Sequence, residues 1–163
     1  NQITVIPCCA DFEHFSLQTK KTKAKIKKQL EISENSLVFG FLGSVGSMYL
    51  LEDYLRLIEL IHLKYQSRDT DIFGLIITND LQSFACGIPV ISNKGIGDVE
   101  DQVNAINGGK VINDTSIESL KEITLGLDQV LLLDRNKIRC KAEEFLSLDI
   151  AIERYKDVYS KLM

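Results

Sequence analysis

The sequence is poor in the residues that most directly announce a chemistry. Its 163 residues include no tryptophan, two histidines and four cysteines. Cys8, Cys9, Cys86 and Cys140 are too few and too irregularly spaced for a disulfide framework, and no pair has the C-x-x-C spacing of a zinc or redox site. They are expected to be reduced thiols of a cytosolic domain, buried as small apolar groups. With His14 and His62 as the only imidazoles, a Cys/His metal site has no support and no metal is expected. Positive charge is also lacking. Nineteen Lys and Arg stand against 23 Asp and Glu, a net charge of −4, so the field that non-specific nucleic-acid binding requires is missing and no such partner is expected. The most apolar stretch, residues 36–51, is interrupted by glycine and serine and falls short of the roughly 20 residues of a membrane span. No basic stretch leads into an apolar core at the start, so no secretory leader is expected. The opening at Asn1, running at once into the strand-like Ile3-Thr4-Val5-Ile6-Pro7, reads as a cut inside a longer protein.

What is present is an ordinary globular balance, 45% hydrophobic and 26% charged. Strand-like and helix-like segments alternate. Residues 2–6 read as a strand and 16–30 as a lysine-rich surface helix. Residues 36–42 form a continuous apolar run, the mark of a strand buried on both faces of a parallel sheet. Residues 50–65 place Leu51, Tyr54, Leu55, Ile58, Ile61 and His62 at helical spacing, with His62 expected at the core or its boundary. Strands are then expected at 71–78, 88–92 and 110–112. A short helix over 81–86 should stop at Gly87, and a second should run from a cap at Asp98 to Ile106 and end at Gly108 and Gly109. Helices over 117–132, 135–146 and 150–162 complete the chain. The alternation predicts an α/β fold, a Rossmann-like doubly wound parallel sheet with helices on both faces and a helical C-terminus. Ligands in such folds sit beyond the carboxyl ends of the strands, which directs attention to residues 43–47, 79–82 and 93–98.

Gly43-Ser44-Val45-Gly46-Ser47 lies between a buried strand and the strongest helix, where glycines let the backbone approach a ligand and free amides favour a phosphate. It matches neither the G-x-G-x-x-G fingerprint nor a Walker loop, and a purely structural turn explains it as well. Phe84-Ala85-Cys86-Gly87-Ile88-Pro89-Val90-Ile91-Ser92, with the glycine-bearing loop to Asp98, resembles the C-terminal, donor-binding domain of family 4 of the retaining glycosyltransferases. Val5-Ile6-Pro7 with Asp11 to Phe15, Phe41 to Tyr49, and the closing IAIERYKDVYSKL are similar to further stretches of that domain.

The resemblance implies a two-domain enzyme, of which residues 1–163 are the nucleotide-sugar-binding half and the N-terminal acceptor domain is missing. It implies that Gly43 and Gly46, with Ser44, face the donor diphosphate, that Gln82 holds the place of a family glutamate, and that Ser83 lies near the ribose or phosphate. Asp98 could contact a sugar hydroxyl; a helix-capping role explains it equally. No cofactor is implied, because amides and basic side chains stabilise the leaving diphosphate. Three departures stand out. Gln82 is not a carboxylate, the basic pair expected after the glycine loop is replaced by Ser47 and Met48, and only Asn79 and Asp80 join the strand at 71–78 to the segment at 81. The family has about two more βα units there, each of roughly 30 residues. A segment is therefore expected to be missing at the 80/81 junction, since removing strands leaves sheet edges unpaired.

Lys20, Lys21, Lys23, Lys25, Lys27 and Lys28 fall within nine residues. A solvated face is the first reading, there being no apolar face with Trp or Phe beside it; contact with anionic headgroups, and so peripheral membrane association, is the second. The sequence thus predicts a cytoplasmic glycosyltransferase domain, able to work at the inner face of a membrane, that binds a nucleotide diphosphate sugar for hexosyl or N-acetylhexosaminyl transfer to an acceptor hydroxyl in bacterial surface polysaccharide synthesis. Alone it should be inactive. The alternative is a non-catalytic Rossmann-like ligand-binding or interaction module. A flavodoxin-like regulatory domain would need acidic residues at the first strand end, where Gly43 and Ser44 stand.

Overall fold

A computed structural model describes residues 6–42, 50–68, 70–77 and 83–161. The chain divides into two units, 18–81 with 112–131, and 1–17 with 82–111 and 132–163. The strand expected over 2–6 lies almost wholly outside the described residues.

In the first unit the lysine-rich segment forms α1, Lys20–Gln29, with the Thr19 hydroxyl accepting from the Thr22 amide. It ends where Glu31 takes a left-handed φ of 55°. The apolar runs become β1, Leu37–Leu42, and β2, Ile72–Ile77, which pair in parallel from Leu37 opposite Ile72 to Leu42 opposite Ile77. Between them runs α2, Leu51–Tyr65, completing a βαβ unit. One face of the pair meets α2. There Tyr54 donates to the Phe39 carbonyl at 2.8 Å, its ring lies 5.3 Å from Phe41, and Gly74 leaves room for it, since a Cβ at 74 would sit 3.0 Å from the phenol oxygen. Burial pushes the Tyr54 phenol up. On the other face Val38, Leu42 and Phe73 remain 37–40% exposed, so burial of these strands on both faces is not what the structure has.

The helix expected over 117–132 is broken in two, α4, Ile117–Leu125, and α5, Leu127–Leu131. Gly126 lies at the break, where its poor helix propensity meets a competing donor: Lys64 Nζ reaches the Thr124 and Leu125 carbonyls at 2.9 and 3.2 Å. Ile61, Tyr65, Leu120, Ile123, Leu127 and Val130 are the buried apolar residues of this packing. His62 is exposed, a correction to its expected core position, because it stands one residue and therefore about 100° around the helix from the fully buried Ile61.

In the second unit β3, Val90–Asn93, leads through α3, Val99–Ile106, to its partner β4, Gly109–Ile112. Backbones approach closely here. A Cβ at Gly109 would lie 1.8 Å from the Val90 carbonyl oxygen. The left-handed residue that ends α3 is Asn107, at φ 51°, rather than Gly108; asparagine tolerates that region. Helices α6, Arg135–Leu146, and α7, Leu148–Ser160, follow, capped by the side chains of Asp134 and Ser147. Their core contains Ala10, Phe12, Phe84, Ala85, Val103, Ile106, Ile138, Ala142 and Leu146. The architecture is mixed α/β with short parallel strand pairs; among the described residues the four strands stand as two two-stranded sheets.

One polar knot joins α2 to α5. Tyr65, 4% exposed, donates its phenol proton to Asp128, which also meets Lys64 and Arg68, each at 3.2 Å. Burial, and then the Asp128 bond, push Tyr65 up to about 12. The Tyr65 and Lys64 donors hold Asp128 down to about 2. The depressed carboxylate adds stability that is present above its ordinary value of 3.8 and lost as pH falls through about 2. The raised phenol adds stability that is present below 10 and lost as pH rises through about 12. Asp128→Asn should therefore flatten the acid limb between pH 4 and 2, measured by urea unfolding across pH; an acid limb identical to that of the unchanged chain would refute this role.

Candidate functional site

Parallel pairing brings the carboxyl ends of β1 and β2 side by side at Leu42 and Ile77. The residues that follow them, including Gly43, Ser44, Gly46 and Gln82 and the whole 80/81 junction, lie outside the described residues. Ser83 and Asp98 are described, both in the second unit.

Ser83 opens a tight turn and not the expected helix. Its carbonyl accepts from the amides of Cys86, at 3.1 Å, and Ile88, at 2.9 Å, and Gly87 N–H meets the Phe84 carbonyl at 2.9 Å. These bonds span three to five residues and leave no room to propagate a helix before Gly87, whose φ is +63°. Two arginines one turn apart on α6 grip this turn. Arg135 donates to the Cys86 and Gly87 carbonyls at 3.0 and 3.2 Å. Arg139 donates to Ala85 and Phe15 from one nitrogen and to the Phe12 carbonyl at 2.6 Å from another, with its guanidinium 5.1 Å from the Phe12 ring centre. The grip also explains the glycine: a Cβ at 87 would lie 2.4 Å from the Arg135 carbonyl oxygen.

Beyond β3 the chain turns through Lys94–Asp98, with Gly95 and Gly97 at φ +81° and +48° and open space where their side chains would be. Asp98 occupies the N-cap of α3, yet its side chain makes no capping bond. Its half-buried carboxylate has no hydrogen bond or ion pair among the described residues, and neither does the Ser83 hydroxyl. No buried side-chain oxygen or nitrogen there lacks a partner, so both groups remain open to solvent. The capping role that competed for Asp98 thus loses its bond, while α3 keeps Glu100 and Asp101 in its first turn, where the helix dipole favours them. Lys94, in the same turn, is exposed and without a side-chain partner among the described residues, a cation not singled out from the sequence; its position directly after an apolar strand and before two glycines was the available sign.

The hollow lined by Ile106, Leu133, Lys137, Ile138 and Lys141, about 170 Å³, contains none of these residues and is smaller than the roughly 300 Å³ of small-molecule sites. The cysteines correct the expectation of buried thiols. Cys8 and Cys140 are exposed, Cys9 and Cys86 half-buried, and all four are free. Burial raises the Cys9 thiol, which makes it a weaker nucleophile at neutral pH. Among the described residues no cluster of three or more His, Cys, Asp or Glu could hold a metal ion, and no helix is long and apolar enough to cross a membrane. Comparison with protein-family models and with curated proteins finds no match.

The Arg139 grip has a measurable weight. Each bond from a charged donor contributes about 1.5–3 kcal/mol, so Arg139→Met, which strips three carbonyls of that donor, should lower the unfolding free energy by about 3 kcal/mol or more. Arg139→Lys should recover only part, because an ammonium cannot span the fork. Urea unfolding followed by circular dichroism measures both; a Met variant as stable as the unchanged chain would show that the grip is idle.

Proposed function

We propose that this chain is the donor-binding part of a retaining glycosyltransferase of the family 4 kind, holding a nucleotide diphosphate sugar at the carboxyl ends of its strands. The Asp98 carboxylate carries the reading: Asp98 is half-buried at the start of α3, without a side-chain partner among the described residues, and closes the turn after β3 that Gly95 and Gly97 open. A carboxylate in that condition can accept from a sugar or ribose hydroxyl, and a bond of that charged type is worth about 1.5–3 kcal/mol. The two βαβ units supply the parallel strand ends that such sites use. In the same reading the four strands belong to one doubly wound sheet in the longer enzyme, whose further βα units enter between Asp80 and Leu81.

In this scheme the amides of Gly43, Ser44 and Gly46 meet the diphosphate, Gln82 accepts from the ribose, and Ser83 lies near the ribose or phosphate. The acceptor is held by a domain beyond these residues, and bacterial surface polysaccharide synthesis at the inner face of the membrane is the setting the motifs suit.

A binding module without catalysis is the second reading, favoured by the amide at Gln82 in place of a carboxylate. Titration calorimetry with UDP- and GDP-sugars tests the first. Binding of one donor by the chain joined to its missing segments, weakened about tenfold or more by Asp98→Ala, is the expected result; binding that ignores Asp98, or no binding of any donor, overturns it. Sugar transfer should be undetectable with the 163-residue chain alone, and measurable turnover would contradict the division of labour proposed here.

A further inference from the structure

We infer that α7 pairs antiparallel with α7 of a second copy of this chain, through Leu148, Ile152, Tyr155 and Tyr159. This stands on α7 itself and is independent of the sugar-transfer reading. One side of the helix is seated within the chain: Ala151 is buried, and the Arg154 guanidinium lies 5.1 Å from the centre of the Phe145 ring on α6. Leu148, Ile152, Tyr155 and Tyr159 repeat at i, i+4, i+7 and i+11. They fall within an arc of about 60°, about 100° around the helix from the seated side. Their exposures are 48%, 50%, 52% and 62%. Single apolar groups in water are ordinary, but a continuous stripe of them about 16 Å long is an association surface.

The spacing is that of a coiled-coil seam read d, a, d, a. A two-fold axis between Ile152 and Tyr155 sets Leu148 opposite Tyr159 of the second copy, and Ile152 opposite its Tyr155. Every layer then holds one aliphatic side chain and one phenol ring, so the helices stay evenly spaced and each ring covers an aliphatic group with its hydroxyl left at water. Parallel pairing would instead stack phenol on phenol in two layers and aliphatic on aliphatic in the other two.

Charge selects the same arrangement. Asp149 and Lys156 flank the stripe on the side turned away from α6, in positions that the antiparallel axis brings together. Asp149 makes no hydrogen bond or ion pair among the described residues. Lys156 meets only Glu153 of its own helix, at 2.7 Å in an exposed pair, which costs little to share. Antiparallel pairing puts the free carboxylate of each copy within reach of the other's ammonium, twice by symmetry. Parallel pairing would set Asp149 near Asp149 and Lys156 near Lys156. A surface that complements itself in both volume and charge takes a second copy as its occupant.

Sedimentation equilibrium of the full chain tests this. The stripe is small beside a standard interface, so reversible association to twice the chain mass is expected with a midpoint at about 10–100 μM. Ile152→Glu, at a position the fold does not pack, should weaken the dimer about a hundredfold or more by setting two carboxylates in the seam. D149K should weaken it about tenfold at low salt, and D149K/K156D should restore it, because exchanging the two charges keeps the pairs between copies. A monomer throughout that range, a dimer indifferent to Ile152→Glu, or a D149K variant that associates normally or is not repaired by the exchange would each overturn the inference. Should Ile152→Glu misfold by circular dichroism, Tyr159→Ser, near the end of α7, takes its place and should weaken the dimer about tenfold.

Discussion

An ionised guanidinium half-withdrawn from water must find acceptors, and Arg139 finds only main-chain carbonyls. Phe12, Phe15 and Ala85 offer theirs to it, and among the described residues no carboxylate bonds to it. One side chain of α6 therefore ties together two segments about 70 residues apart in sequence, and Arg135, one turn earlier, adds the carbonyls of Cys86 and Gly87. The apolar cluster around Phe12, Ala85, Ile138 and Ala142 packs beside these bonds. Five part-buried carbonyls are satisfied by these two side chains. The position of the 83–87 turn, and through it the start of β3 and the approach to Asp98, follows from this grip.

The first unit meets the same difficulty with other donors. A two-stranded sheet is marginal by itself in water, and here the cross-links are long side chains that reach backbone carbonyls at the ends of elements. Tyr54 reaches Phe39, Lys64 reaches Thr124 and Leu125, and Lys27 reaches Glu34 and Ser36. Tyr65 and Lys64, both bound to Asp128, add the links between side chains that join α2 to α5. In both units side-chain donors do part of what a broad sheet ladder does elsewhere. The structural weight falls on Arg, Lys and Tyr rather than on strand pairing.

This division explains what could be read in the residues alone. Helices α2 and α6 and strands β1 and β2 follow from apolar periodicity and run within a residue or two of where they were expected, because burial sets both the pattern and the element. The Arg139 grip was not legible. RNKIRCKAEEFL has the composition of a solvated helix, and nothing local distinguishes an arginine turned inward toward carbonyls from one facing water. For Asp98 residue type and position fit a cap and a sugar contact equally, and only the geometry of its side chain separates holding a helix from standing free. Asn107 displaced two following glycines as the helix stop for a similar reason: the left-handed position falls one residue earlier, where asparagine is tolerated. Gly43, Ser44, Gly46 and Gln82 lie outside the described residues, so for them the argument rests on residue type and spacing.

The sheet of the first unit carries the argument one step further. A strand covered on one face only is expected to alternate apolar and polar residues, and LVFGFL and IFGLII do not. Phe39 and Phe41 turn toward α2, yet Val38, Leu42 and Phe73, directed the other way, are apolar as well and remain exposed. Each such group left in water forgoes about 25 cal/mol for every Å² it could bury. Ile76, on the α2 side, is 45% exposed as well, so both faces are only partly covered, and apolar residues on both suit a strand flanked by two layers. Among the residues described no element supplies the second layer. The further βα units proposed between Asp80 and Leu81 would do so, because a crossover connection on a parallel sheet lays its helix across a face. The half-exposed apolar faces and the two residues, Asn79 and Asp80, that alone separate the strand run from the next segment in the sequence are two aspects of one proposal, one written in the packing and the other in the sequence.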